Sequence, residues 1–194
     1  MTEINRREAL RILGLIPLLA AGISPAEVAR AAESARRALG SSGFTPAFFT
    51  GHEYATVRVL AELVIPRDDR SGGALDAGVP EFIDFILHER QSMQTPIRGG
   101  LAWLDAEAVA RFGHEFVDIL DVDRRAILDG IAWPKKAKPE HSQGVAFFNE
   151  FRDLVASGYF SSRMGVEDLR YVGNRVVGEW TGCPPEALAK LGVG

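Results

Sequence analysis

From residue 51 onward the chain repeats apolar residues at helical spacing between glycine and proline breaks, and it never sustains the two-residue alternation of a strand. Tyr54, Val57, Leu60 and Val64 recur three or four positions apart, the pattern that lines one face of a helix, until Pro66 stops it. A polar, glycine-rich loop follows over 67–78. Pro80 then suits the first turn of a second helix, where its missing N–H costs nothing, and Val79, Phe82, Ile83, Ile86, Leu87 and Met93 share its face. Gly99-Gly100 predicts a break before a third helix with Leu101, Leu104, Ala108 and Phe112 inward. Asp121 or Asp123 caps a fourth, which carries Ile127, Leu128 and Ile131. The longest buried helix is expected over 144–157, from Phe147, Phe148, Phe151, Leu154 and Val155, with Gly158 as its C-terminal stop. These stripes specify an all-α bundle of about five helices. Beyond it, Gly158, Gly165, Gly173, Gly178, Gly182, Pro184 and Pro185 interleave with Tyr159, Tyr171 and Trp180, which reads as an irregular aromatic arm packed on a surface.

The N-terminus has a different character. Asn5-Arg6-Arg7-Glu8-Ala9-Leu10-Arg11 leads into an apolar run over 12–23, interrupted by Pro17. Such a run is too short for a membrane span, which needs about 20 residues, and it fits an export signal. Arg6 and Arg7 resemble the twin-arginine type, whose route carries proteins already folded; Leu10 and Arg11 fit that pattern while Glu8-Ala9 departs from it. Ala29-Arg30-Ala31 offers an A-x-A-like cleavage site with an uncommon arginine inside it. Retention as an N-terminal anchor and a buried first helix of the fold are the alternatives. The export reading divides the chain into a signal segment 1–31, a polar, alanine-rich linker 32–43 and a single helical domain 44–194.

Composition removes several classes of function. Cys183 is alone, so an internal disulfide, a C-x-x-C redox pair, a C-x-x-C-H haem attachment and an iron–sulfur ligand set are all excluded. The net charge of −4 argues against nucleic acid as a partner, which calls for clustered Lys and Arg. A hydrophobic share of 46% and a charged share of 25% are ordinary for a globular protein.

Catalytic motifs fare no better. His52-Glu53, His88-Glu89 and His114-Glu115 each lack the second histidine one turn on that a zincin needs, holding Thr56, Ser92 and Asp118 there instead. Asp68, Asp69 and Asp76 sit among glycines but out of calcium-loop register, so Asp76 is expected to cap the following helix. No G-x-S-x-G elbow, phosphate loop or dinucleotide fingerprint occurs. Glu62 and Asp84 read as solvent-facing charges or helix-end hydrogen-bond acceptors. What remains suits an interface. Lys135, Lys136 and Lys138 lie on a loop bracketed by Pro134 and Pro139 and could steer an acidic partner. Tyr159, Phe160, Tyr171 and Trp180 are candidate partner contacts, or else cover the end of the bundle.

Two stretches carry a resemblance. They are Glu53-Tyr54-Ala55-Thr56-Val57-Arg58-Val59-Leu60-Ala61-Glu62-Leu63-Val64-Ile65-Pro66-Arg67 and Gly73-Ala74-Leu75-Asp76-Ala77-Gly78-Val79-Pro80-Glu81-Phe82-Ile83-Asp84, joined by Gly158-Tyr159-Phe160-Ser161 and Gly182-Cys183-Pro184. In them the chain resembles the small third subunit of gluconate 2-dehydrogenase-type, membrane-associated flavin dehydrogenases. The resemblance implies a non-catalytic subunit that supports maturation and export of a large FAD-dependent partner of the glucose-methanol-choline type, which oxidises a sugar, polyol or sugar acid. It implies no cofactor, metal or catalytic residue in this chain, with FAD, haem c or an iron–sulfur cluster in partner subunits. The partners it implies are that flavoprotein, a multihaem cytochrome c and the twin-arginine translocase, at the periplasmic side of the cytoplasmic membrane. The competing classes are a stand-alone periplasmic metal-assisted hydrolase or lyase using His52, His88, His114 or His141, and a membrane-tethered binding module.

Overall fold

Ser24 starts the first helix of the computed structural model, which describes residues 22–40 and 43–169 and, beyond them, only positions 185, 188, 189 and 192. The Ser24 hydroxyl accepts the Glu27 N–H while the Glu27 carboxylate accepts the Ser24 N–H at 2.8 Å, a reciprocal cap that satisfies two otherwise orphaned donors. Helix α1 (Pro25–Leu39) then buries Val28, Ala31 and Ala35. Thr50 and Glu53 build the same cap on α2 (Gly51–Val64). Gly78 takes a left-handed φ of 73° at the entry to α3 (Val79–Glu89), a turn that a side chain would strain. The chain continues through α4 (Gln91–Phe112), α5 (Asp121–Asp129), a single 3-10 turn (Pro139–His141), α6 (Ser142–Ser161) and α7 (Arg163–Asp168).

Helix α3 is the axis of the molecule. Eight of its residues are buried, and α1, α2, α4 and α6 all pack on it, α1 most extensively. Phe82, Phe116 and Phe151 are the largest wholly buried side chains among the described residues and belong to one continuous core. The described residues contain helices and no strand, so the all-α expectation holds.

Several sequence expectations give way to packing. The span 32–43, expected as a linker, is mostly helix: its Ala35, which reads as spacer, is buried in α1 and lies against Gly78 at the entry to α3, so α1 can lie close on α3. Gly99-Gly100 does not break a helix but sits inside α4, at 22 residues the longest. A Cβ at Gly100 would overlap the Phe147 ring of α6, so this glycine serves a close crossing of the two helices. Gly158 likewise lies within α6, where an added Cβ would come 2.9 Å from the Phe82 Cδ1. Met93 belongs to α4 rather than to the second helix. Gly78 and Leu120, not the aspartates, occupy the N-caps of α3 and α5, with no side-chain cap at either. Gly158, Tyr159, Phe160 and Gly165, expected on the irregular arm, are helical instead, because α6 runs to Ser161 and α7 follows it; most of the remainder of the expected arm lies outside the described residues. Arg6, Arg7, Tyr171, Trp180 and Cys183 lie outside the described residues.

Candidate functional site

The carboxylates of the α2–α3 region are the first groups to test for chemistry, and Glu62, Asp68, Asp76 and Asp84 are occupied in holding the backbone. Glu62, at the end of α2, accepts the Arg67 N–H at 3.1 Å and the Leu75 N–H at 3.2 Å, closing the loop between the helices. Asp76 accepts the Gly73 N–H at 2.9 Å and pairs with the Arg67 guanidinium at 2.5 Å. That closure explains why Asp76 does not cap α3. Asp68 accepts the N–H groups of Arg70 and Ser71, both at 2.8 Å, and these bonds hold its pKa below the usual carboxylate range. Tyr159 closes the same loop from the other side: its hydroxyl donates to the Gly72 carbonyl at 3.0 Å and lies 2.5 Å from the Ser71 hydroxyl. With 2% of its surface exposed, Tyr159 is a buried strut that covers the end of the bundle, the alternative reading of that residue. Beside it, Arg70 reaches Asp168 of α7 at 2.6 Å across an open cleft of about 280 Å³.

On α3, Asp84 is 2% exposed and far from a surface charge. Its carboxylate accepts three successive backbone N–H groups, from Ala47 at 2.8 Å, Phe48 at 3.0 Å and Phe49 at 3.1 Å. Arg98 completes this clamp by donating to the Phe48 carbonyl at 2.8 Å with its guanidinium 4.3 Å from the centroid of the Phe48 ring. One turn earlier, the buried Glu81 accepts the Tyr54 hydroxyl at 2.7 Å. Burial first, and then that acceptor, push the Tyr54 phenol pKa up.

The histidines stay separate from these groups. His52 Nε2 lies 2.7 Å from Asp105 and its Nδ1 lies 3.6 Å from Glu115, so hydrogen bonding to Asp105 raises its pKa despite partial burial. Asp105 also accepts the Phe116 N–H at 3.0 Å, tying α2, α4 and the turn after α4 together. His88 and His114 are exposed, and His141 stands edge-on to Trp103 at 5.8 Å. Among the described residues, no three His, Cys, Asp or Glu side chains are grouped to hold a metal ion.

The basic loop has a different disposition. Lys135, Lys136 and Lys138 are all exposed, on a turn in which the Trp133 carbonyl accepts the N–H groups of Lys136 and Ala137 at 2.8 and 3.0 Å. Trp133 is itself 62% exposed, with the Lys136 ammonium 5.8 Å from its ring centroid. Leu120 and Val122, at the start of α5, are 70% and 67% exposed. Sequence reasoning passed over these three apolar residues; the available signal was an apolar residue on each side of Asp121 and a tryptophan directly before a proline. Phe160 is half-buried, its ring edge-on to that of Tyr159.

Residues 51–182 match the family model of gluconate 2-dehydrogenase subunit 3. The chain belongs to this family. No curated protein and no solved structure matches it. In this member of the subunit 3 family, the matched region begins at the first residue of α2 and takes in the loop clamped by Glu62 and Asp76 and every helix from α3 to α7, leaving α1 outside it. The family name makes it a subunit of a dehydrogenase complex. No helix among the described residues of this subunit is long and apolar enough to cross a membrane.

Proposed function

We propose that the chain is a non-catalytic small subunit that binds a large FAD-dependent dehydrogenase of the glucose-methanol-choline type, supports its maturation, and supplies the twin-arginine signal on which the pair is exported. The partner would oxidise a sugar, polyol or sugar acid and pass electrons to a multihaem cytochrome c. FAD, and haem c or an iron–sulfur cluster, reside in those partners, and the complex works on the periplasmic side of the cytoplasmic membrane.

The observation that carries this reading is the division of labour among side chains. Glu53, Glu62, Asp76, Glu81 and Asp84, the acidic residues of the two stretches that resemble the family, each hold backbone N–H groups or a neighbouring side chain of the same chain. Groups so engaged are poor candidates for moving a proton to or from a substrate, Glu81 apart, whose buried Oε2 has no hydrogen-bond partner. Trp133, Leu120 and Val122 meanwhile stand in solvent, and three lysines flank the tryptophan. An exposed tryptophan that enters a partner's pocket is a common hot spot, and flanking lysines raise the rate of encounter with an acidic surface. A subunit that binds only the folded partner stabilises it by mass action, about 2.7 kcal/mol at a hundredfold excess over Kd.

Affinity capture of the tagged chain from membranes and periplasm, with absorption spectra of the eluate, tests the assignment. A flavin spectrum that co-elutes with the wild type and is lost with Trp133→Ala supports it. A lone colourless chain under gentle extraction refutes the complex. Replacing Arg6 and Arg7 by lysine tests export separately, and unchanged periplasmic dehydrogenase activity would sink that half.

A further inference from the structure

We propose that residues 22–31 belong to the folded domain and that the A-x-A-like step at Ala29-Arg30-Ala31 is therefore not cut in the folded protein; any removal of the signal takes place ahead of Ile23, the latest boundary the packing allows. Three independent features hold residues 22–31 in the domain. Ile23 and Ala31 are wholly buried and Val28 is 2% exposed, so the segment contributes to the core itself. The reciprocal cap between Ser24 and Glu27 fixes the start of α1. Arg90, at the junction of α3 and α4, then clamps that start: its guanidinium donates to Glu27 at 2.6 and 2.8 Å and to the Gly22 carbonyl at 2.5 Å.

A processing enzyme that reads small residues at the two A-x-A positions needs the backbone extended, with both side chains free. Here Ala29 and Ala31 lie inside a helix, and Ala31 has none of its surface exposed. Cutting there would separate Ile23, Val28 and Glu27 from the body and leave Arg90 without its acceptors. The twin-arginine route makes this more acute, since a protein that folds before export presents α1 already packed. That last step rests on the export reading; the integration of α1 into the domain does not.

Arg30 provides a direct probe, because trypsin cleaves after arginine. In the purified full chain, the Arg30–Ala31 bond is expected to be cut at least about tenfold more slowly than in Arg90→Ala, which loosens the clamp and lets the segment open locally. Equal rates in the two proteins, with both shown folded by circular dichroism, overturn the clamp. The second arm is the intact mass of the chain recovered from its natural compartment. An N-terminus at or ahead of Ile23 supports the boundary, and one anywhere from Ser24 to Ala32 refutes it. Loss of export in the Arg6/Arg7 variant would leave the trypsin comparison unaffected, so failure of the export reading and failure of the boundary are separable.

Discussion

Asp84→Asn removes a charge and little volume from the centre of the scaffold. In the wild type, one carboxylate oxygen accepts the Phe48 and Phe49 N–H groups while the other accepts the Ala47 N–H. The asparagine carbonyl can keep the first pair, but its amide then faces the Ala47 N–H, donor against donor. A hydrogen bond to an ionised acceptor contributes about 1.5–3 kcal/mol and a neutral one about 0.5–1.5 kcal/mol. One such bond is lost and two are weakened, and part of the loss is offset because a buried charge no longer has to be desolvated. The expected net cost is about 2–4 kcal/mol. For a chain of this size each kcal/mol lowers Tm by about 2–4 °C, so the shift should be about 5–15 °C. Thermal unfolding followed by circular dichroism measures it, and amide exchange should show the loss concentrated at residues 47–49. A variant within about 0.5 kcal/mol of wild type would refute the argument that Asp84 is a structural acceptor. Partner capture below the lowered Tm should survive, which separates a scaffold role from a contact role.

Three further outcomes follow from the same geometry. Gly100→Ala gains about 0.5–1 kcal/mol of helix propensity but forces a methyl group into the Phe147 ring, so chemical denaturation should show a net loss of about 1–3 kcal/mol. Glu27 has its pKa lowered to about 2, chiefly by the hydrogen bond from Arg90, from an ordinary 4.5. Its contribution is therefore complete above pH 4.5 and lost as pH falls toward 2; exchange of the α1 amides, corrected for intrinsic rates, should rise across that window in the wild type and already be raised above it in Glu27→Gln. His52 has its pKa raised above 6.5 by Asp105, so its link is complete below pH 6.5 and lost as pH rises through the folded-state value; NMR titration of the imidazole should return to the ordinary value in Asp105→Asn.

The parts of this fold that were legible in the sequence are those where a side chain announces its own environment. Val57, Leu60, Phe82, Ile86, Phe147 and Phe151 are large, apolar and regularly spaced, and all six are buried. Alanine and glycine carry no such signal. Ala31 looks like part of a cleavage site and Ala35 like spacer until both prove buried in α1, and Gly100 and Gly158 look like helix stops until Phe147 and Phe82 occupy the missing Cβ positions. The same ambiguity misplaced Tyr159, since a helix ended at Gly158 leaves it on an arm, whereas a helix continued to Ser161 turns it toward Ser71 and Gly72. Asp84 could not be read either, because its three donors lie more than 34 residues earlier, in a stretch without regular structure.

That asymmetry bears on where function lies in subunit 3. In the stretches that resemble the family, polar and glycine positions meet fixed geometric demands: glycine at Gly73, where Glu62 and the Arg67 backbone leave no room for a side chain, and aspartate at Asp84, where three N–H groups converge. Such demands produce a pattern without producing a reaction. An interface has no matching internal demand, since its residues are satisfied only when the partner arrives. Helix α5 fits that description: it packs chiefly on α4, Arg124 anchors its first turn to the carbonyls of Phe116 and Val117, and Leu120 and Trp133 stand exposed beyond its two ends. The cost of leaving those apolar groups in water is unrecovered among the described residues, and under the proposed function the α5 edge and its lysine loop are a surface that a partner would gain by covering.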